Sequence, residues 1–212
     1  MISTRDLSEL PDIQDLLKLS QSLATLDAVL CPEWEFRYFS FNNAWEGTAA
    51  KLGLMRNGEG DDWLLYFDDH GAVLKGFVHN SAMAVQSPWP GLFDGIPAGF
   101  SAFLDEPAFS RAATTFCVWR TFDDDGWQTG NLDFPAGPDP DGSAALMSFL
   151  DGRAATYKRW ADEYFGRPVH PGAIDRIYRH VPLNASLVAA LNPEADFREV
   201  RSEAEEIGYP LA

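Results

Sequence analysis

Two pairs of adjacent carboxylates, Asp61-Asp62 and Asp68-Asp69, bracket the apolar run Trp63–Phe67, and a third group, Asp123-Asp124-Asp125, follows a second apolar run. A carboxylate beside a histidine raises the pKa of the imidazole and prepares it for acid–base work. His79, next to Asn80 and Ser81, is the one histidine placed for this. With Asp61 or Asp62 it would make a hydrolase-type carboxylate/His pair. His70, His170 and His180 add no metal chemistry, because no two histidines stand four residues apart as a helical zinc pair requires.

Nucleophiles have less support. Cys117 lies between Phe116 and Val118, the setting of a buried, inert thiol, and Cys31 precedes Pro32 at a helix end. No serine stands in a Gly-x-Ser-x-Gly elbow. The acidic loops ending at Gly126 and Gly142 resemble half of a calcium loop. With either glycine at position six, however, position twelve is Leu132 or Ser148, where a bidentate Glu is needed. Gly58 and Gly60 form a Gly-x-Gly with acids where a phosphate would need donors, so they read as turn glycines. No catalytic residue, metal or cofactor is assigned.

What remains is a surface. If the turns of the two apolar hairpins share one end of a sheet, eight acids form a rim: Glu59, Asp61, Asp62, Asp68, Asp69, Asp123, Asp124 and Asp125. Trp63, Trp89 and Trp127 stand close to them in sequence. Aromatic anchors inside an acidic field suit capture of a basic protein, since the rings supply affinity and the charges supply encounter rate and orientation. The expected binding residues are therefore Asp61, Asp62, Trp63, Asp68, Asp69, Trp89, Asp123, Asp124, Asp125 and Trp127. A homo-oligomer that buries a Trp-rich surface is the structural alternative.

The charge is consistent with this. The chain has 212 residues, with 32 Asp/Glu against 16 Lys/Arg and a formal net charge of −16. Residues 1–150 hold 22 acids and 8 bases, whereas residues 151–212 hold 10 and 8. Such a field argues against nucleic acid and against an anionic membrane surface, and it steers cationic partners. No apolar run approaches the length of a membrane span, and the first residues lack the basic-then-apolar order of a secretory signal. Two distant cysteines do not make a disulfide scaffold, so a cytoplasmic protein with reduced thiols is expected.

The elements that must position these residues follow from periodicity. Residues 12–30 show helical spacing of Ile13, Leu16, Leu17, Leu19, Leu23, Leu26 and Leu30, with Asp12 and Asp15 at the start, so an amphipathic helix is expected. From Trp34 to Phe41 the aromatic residues alternate as in a strand. Residues 62–79 form the clearest hairpin, around Asp68–Gly71, and residues 115–134 a second. Between them lies a Pro/Gly-rich loop, then a short helix after Pro97. From Ser143, expected as a helix cap, the pattern is helical to the end, with Asn184 capping a later helix. The fold expected is one α+β domain over 1–212. A mostly antiparallel sheet of about four to six strands sits with the N-terminal and middle helices in 1–134, and a helical region, 143–212, packs on it.

The segment Ile96-Pro97-Ala98-Gly99-Phe100-Ser101-Ala102-Phe103-Leu104 resembles the Pro-x-x-Phe/Tyr-x-x-Phe-Leu helix of the SUKH superfamily, which joins fungal cell-wall (glucan) synthesis regulators to bacterial toxin-immunity proteins. The resemblance implies a non-enzymatic protein that binds and neutralises a toxin, often a basic nuclease. The segments Glu33–Tyr38 and Asp141–Ser143 also look like a bacterial family that brings no activity with it.

Overall fold

Asp12 caps the first helix by accepting the N–H of Asp15 through Oδ1 at 2.9 Å, and α1 then runs Ile13–Leu30. The structure, a computed structural model, describes residues 1–212. Six strands follow in a simple antiparallel meander ordered as in the chain: β1 Phe39–Asn42, β2 Lys51–Arg56, β3 Asp62–Phe67, β4 Gly71–Phe77, β5 Phe116–Thr121 and β6 Gln128–Thr129. Residues 101–105 form α2, and α3 to α7 span Ser143–Leu146, Ala154–Tyr164, Pro171–Tyr178, Ala185–Leu191 and Phe197–Ile207. The expected α+β fold is thus observed, with its sheet mostly formed by short turns.

Both faces of the sheet are covered, which is why β3 reads as a continuous apolar run rather than an alternating one. Trp63, Leu65 and Phe67 point to the helical side. Leu64 and Tyr66 point the other way, against Phe100, Phe103 and Phe109. The helical side buries a cluster of 39 residues and the opposite side one of 11, so the helices provide the main core. The Pro/Gly-rich segment after β4 is a covering layer rather than an open loop.

α1 is more enclosed than its amphipathic pattern suggests. It packs on β1 with one side and on α5, α6 and α7 with the other, so nearly every residue from Leu19 to Leu30 is buried. Most of its buried polar side chains find partners accordingly, the Thr25 hydroxyl being the exception. Ser22 donates to the Ile177 carbonyl at 3.1 Å, and Gln21 to those of Ile207 and Gly208. Asp27 accepts the N–H groups of Tyr38 and Phe39 and the Tyr157 hydroxyl.

Three local expectations need correction. Trp34–Phe36 is a 3-10 turn rather than a strand, and pairing begins only at Phe39, whose N–H neighbour Tyr38 is held by Asp27. The second hairpin closes with a β6 of two residues, because Trp127 turns inward to donate Nε1–H to the Pro11 carbonyl at 2.7 Å. Ser143 is the first helical residue of α3, not its cap. Gly142 takes the cap position at φ 78°, and Asp139 accepts the N–H groups of Ala144 and Ala145. Asn184 caps α6 as expected, accepting the Leu187 N–H at 2.9 Å. No helix is long and apolar enough to cross a membrane.

Candidate functional site

The sheet register decides which acids meet. Gly71 pairs with Thr121 across β4 and β5, so the β3–β4 turn lies beside the β5–β6 turn. The Phe122 N–H donates to the His70 carbonyl at 3.2 Å and ties the two together. Asp68, Asp69, Asp123, Asp124 and Asp125 therefore share one end of the sheet. Glu59, Asp61 and Asp62 sit at the other end, six residues along β3. The eight acids form two groups rather than one rim.

Within the first group the charges have different tasks. Asp68 accepts the N–H groups of His70 and Gly71 and shapes its turn. Asp124 accepts the N–H and hydroxyl of Thr121 and the amide of Gln128, and the Thr121 bonds hold its carboxyl below the usual range. Asp69, with its side chain 91% exposed, Asp123 and Asp125 face solvent. Phe122 stands 54% exposed between the turns. Beside it a groove of about 270 Å³ runs between α1 and the sheet, walled by Ile13, Leu17, Phe67 and Phe122, with Asp68 and Asp69 along it and Lys51 at its side. Asp69 also meets His70 Nδ1 at 2.9 Å, and an apolar floor with carboxylates at its edge can hold the aliphatic stem and charged head of a Lys or Arg side chain.

The tryptophans do not decorate this end as expected. Trp63 is 1% exposed and belongs to the core, 6.2 Å from Phe39 in ring centroid distance, so it is unavailable to a partner. Trp127 is partly buried and held by Pro11, and Trp89 is half-buried with its Nε1–H on the Asp133 carbonyl. Of the seven tryptophans only Trp34 is markedly exposed, while Trp45, Trp89, Trp127 and Trp160 are partly so. The large exposed ring at this end is Phe122, one residue before the acid run, which the sequence did not single out.

At the opposite end, Asp61 accepts the His79 N–H at 2.9 Å and contacts His79 Nδ1 at 2.7 Å. Partial burial raises the Asp61 carboxyl, but the His79 and Asn57 bonds outweigh it and hold the group low. Asp62 is pushed up by burial near the likewise buried Lys75. The expected pair thus exists in Asp61–His79, while Asp62 is half-buried at the start of β3 and is not part of it. None of the principal concavities is lined by these three residues. The remaining histidines serve the fold. His170 Nδ1 caps α5 through the Ala173 N–H, and His180 Nε2–H donates to the Lys18 carbonyl. The His70 ring lies against Gly99, where a Cβ would come within 2.4 Å of it.

Asp68, Asp69 and His70 bring three potential metal-ligand atoms within 4.8 Å of one another, whereas Asp123–Asp125 do not converge in this way. A second surface, also missed, gathers exposed rings. The 3-10 turn pushes Trp34 and Phe36 outward to 54% and 59% exposure, and the Tyr164 hydroxyl of α4 donates to the Phe36 carbonyl at 2.8 Å. The alternation Glu33-Trp34-Glu35-Phe36 is its only trace in the sequence, and it mimics a strand. Comparison of the chain with protein-family models, with curated proteins and with solved structures returned no match.

Proposed function

We propose that this chain is a non-enzymatic, cytoplasmic binding protein of the immunity type, which docks a basic protein on the acidic end of its sheet. The observation that carries the reading is the juxtaposition of Asp69, Asp123 and Asp125 around exposed Phe122 and its groove. Charges placed around an apolar anchor speed encounter with a cationic surface and fix its orientation. The cytoplasmic part of the reading rests on Cys31 and Cys117, both free and buried. The resemblance of the Pro97–Leu104 segment to the SUKH helix supports a toxin as the partner. Here that segment packs Phe100 and Phe103 on the sheet, with Gly99 under the His70 turn, so it braces the same end.

An arginine-rich amphipathic peptide is the probe. Its affinity is expected to fall steeply between low and physiological salt, and by about tenfold or more in an Asp69→Asn/Asp123→Asn/Asp125→Asn variant. Binding that ignores salt, or that survives the triple variant unchanged, overturns the proposal.

A further inference from the structure

Arg56 ends β2 with a side chain out of keeping with the charge of the molecule. Acids outnumber bases two to one, yet no carboxylate lies within 4.0 Å of its guanidinium. Its Nη2 is buried with no hydrogen-bond partner, and its Cζ sits 4.1 Å from the centroid of the Trp34 ring. A buried donor without an acceptor costs free energy, and a small swing of the guanidinium that carries Nη2 to a ligand oxygen in the cleft recovers it. Arg56 lines a cleft of about 180 Å³ together with Glu35, Phe36, Tyr38 and Tyr164. Glu35, like Arg56, is in no ion pair, so one unpaired cation and one unpaired anion line the same aromatic cleft.

We infer that this cleft binds a small zwitterion with a flat apolar body, of the aromatic α-amino acid class. The ligand carboxylate meets the Arg56 fork, its ammonium meets Glu35, and its ring packs on Phe36, Tyr38 and Tyr164. A zwitterion is not repelled by the net charge of −16, as a bare carboxylate would be. The cleft is smaller than the usual drug-sized pocket, in keeping with a ligand of amino-acid size. This site is independent of the acidic docking end, which lies at the other end of the sheet.

The test is a titration of the ¹⁵N-labelled protein, following the Trp34 indole N–H. L-Phenylalanine is compared with 3-phenylpropionate, which lacks the ammonium, with phenethylamine, which lacks the carboxylate, and with alanine, which lacks the ring. L-Phenylalanine is expected to saturate in the millimolar range and to bind about tenfold more tightly than each analogue. Arg56→Gln should reduce it to the level of phenethylamine, and Glu35→Gln to that of 3-phenylpropionate. The absence of saturable binding, equal affinities across the four ligands, or an Arg56→Gln variant that keeps full affinity would overturn the assignment. Should Arg56→Gln disturb the fold, the four-ligand comparison on the unaltered protein decides.

Discussion

Tyr157 donates its hydroxyl to Oδ1 of Asp27 at 2.7 Å, joining two buried side chains 130 positions apart. The other carboxylate oxygen accepts the N–H groups of Tyr38 and Phe39 at 2.8 and 2.9 Å. One side chain of α1 thus fixes the start of β1 and the position of α4, and through Tyr38 and Trp160, 4.7 Å apart in ring centroids, it supports the aromatic cleft.

Removing this acceptor should therefore be costly. Asp27→Ala leaves three buried donors unpartnered and is expected to destabilise by at least about 3 kcal/mol, a fall in Tm of about 6–12 °C. Thermal unfolding checks this. Burial raises the Asp27 carboxyl from 3.8 to about 7, against the lowering pull of the Phe39 N–H, Tyr157, the Tyr38 N–H and Arg37. Because the folded value exceeds the unfolded one, the stabilisation from its protonation is full below about pH 4 and is lost as pH rises through about 7. Asp27→Asn keeps one of the two acceptor oxygens and cannot ionise. The stability of the unaltered protein relative to Asp27→Asn should fall between pH 4 and pH 7, and a flat difference would contradict the burial argument.

Lys75 presents the opposite case. It is 3% exposed on the second face of the sheet, donates to the Ala113 carbonyl at 3.0 Å, and its pKa is lowered by burial although Asp62 works the other way. Replacing a buried cation with an apolar side chain of similar length removes the desolvation cost. Lys75→Met is expected to be neutral or stabilising by up to about 2 kcal/mol, whereas Lys75→Ala, which leaves a void, should destabilise. Chemical denaturation distinguishes the two.

Gly76 lies one residue from the end of β4, paired with Phe116, whose ring covers it. A Cβ there would meet Phe116 Cζ at 2.2 Å and the Asp62 carbonyl at 2.9 Å. Gly76→Ala should cost about 1–3 kcal/mol through forced displacement of that ring. Gly58→Ala, with open space around it but φ +77°, serves as the comparison, its cost arising from backbone strain alone. Urea midpoints for the two variants report which cause is larger.

Phe122 and the exposed carboxylates should separate kinetically in binding the arginine-rich peptide. Asp69→Asn and Asp123→Asn are expected to slow association and weaken its salt dependence, and Phe122→Ala to speed dissociation by about tenfold with association nearly unchanged. Stopped-flow or surface-binding kinetics read both rates.

Much of this architecture is legible in the residues themselves. Asp12 before an apolar helix, Asn184 before another, and Asp68–Gly71 between two apolar runs each act through neighbours within a few positions, where local chemistry dominates. β2 is harder to read, because Lys51–Arg56 carries Gly53 where the backbone passes Phe41 and Ser20, and a glycine weakens the strand signal. Trp34–Phe36 misleads for a related reason: alternation marks a strand only when a neighbouring strand accepts it, and here pairing starts at Phe39.

Local preference and hydrophobic period were sufficient to determine the class of fold, the β3–β4 hairpin and the starts of α1 and α6, since each depends on contacts short in sequence. The tertiary structure alone decided that Asp68 and Asp69 join Asp123–Asp125 while Asp61 and Asp62 do not, that Trp63 is interior, and that Arg56 and Glu35 face one cleft. Those outcomes depend on strand register and on which faces become covered, and both are set by the packing of segments tens of residues apart.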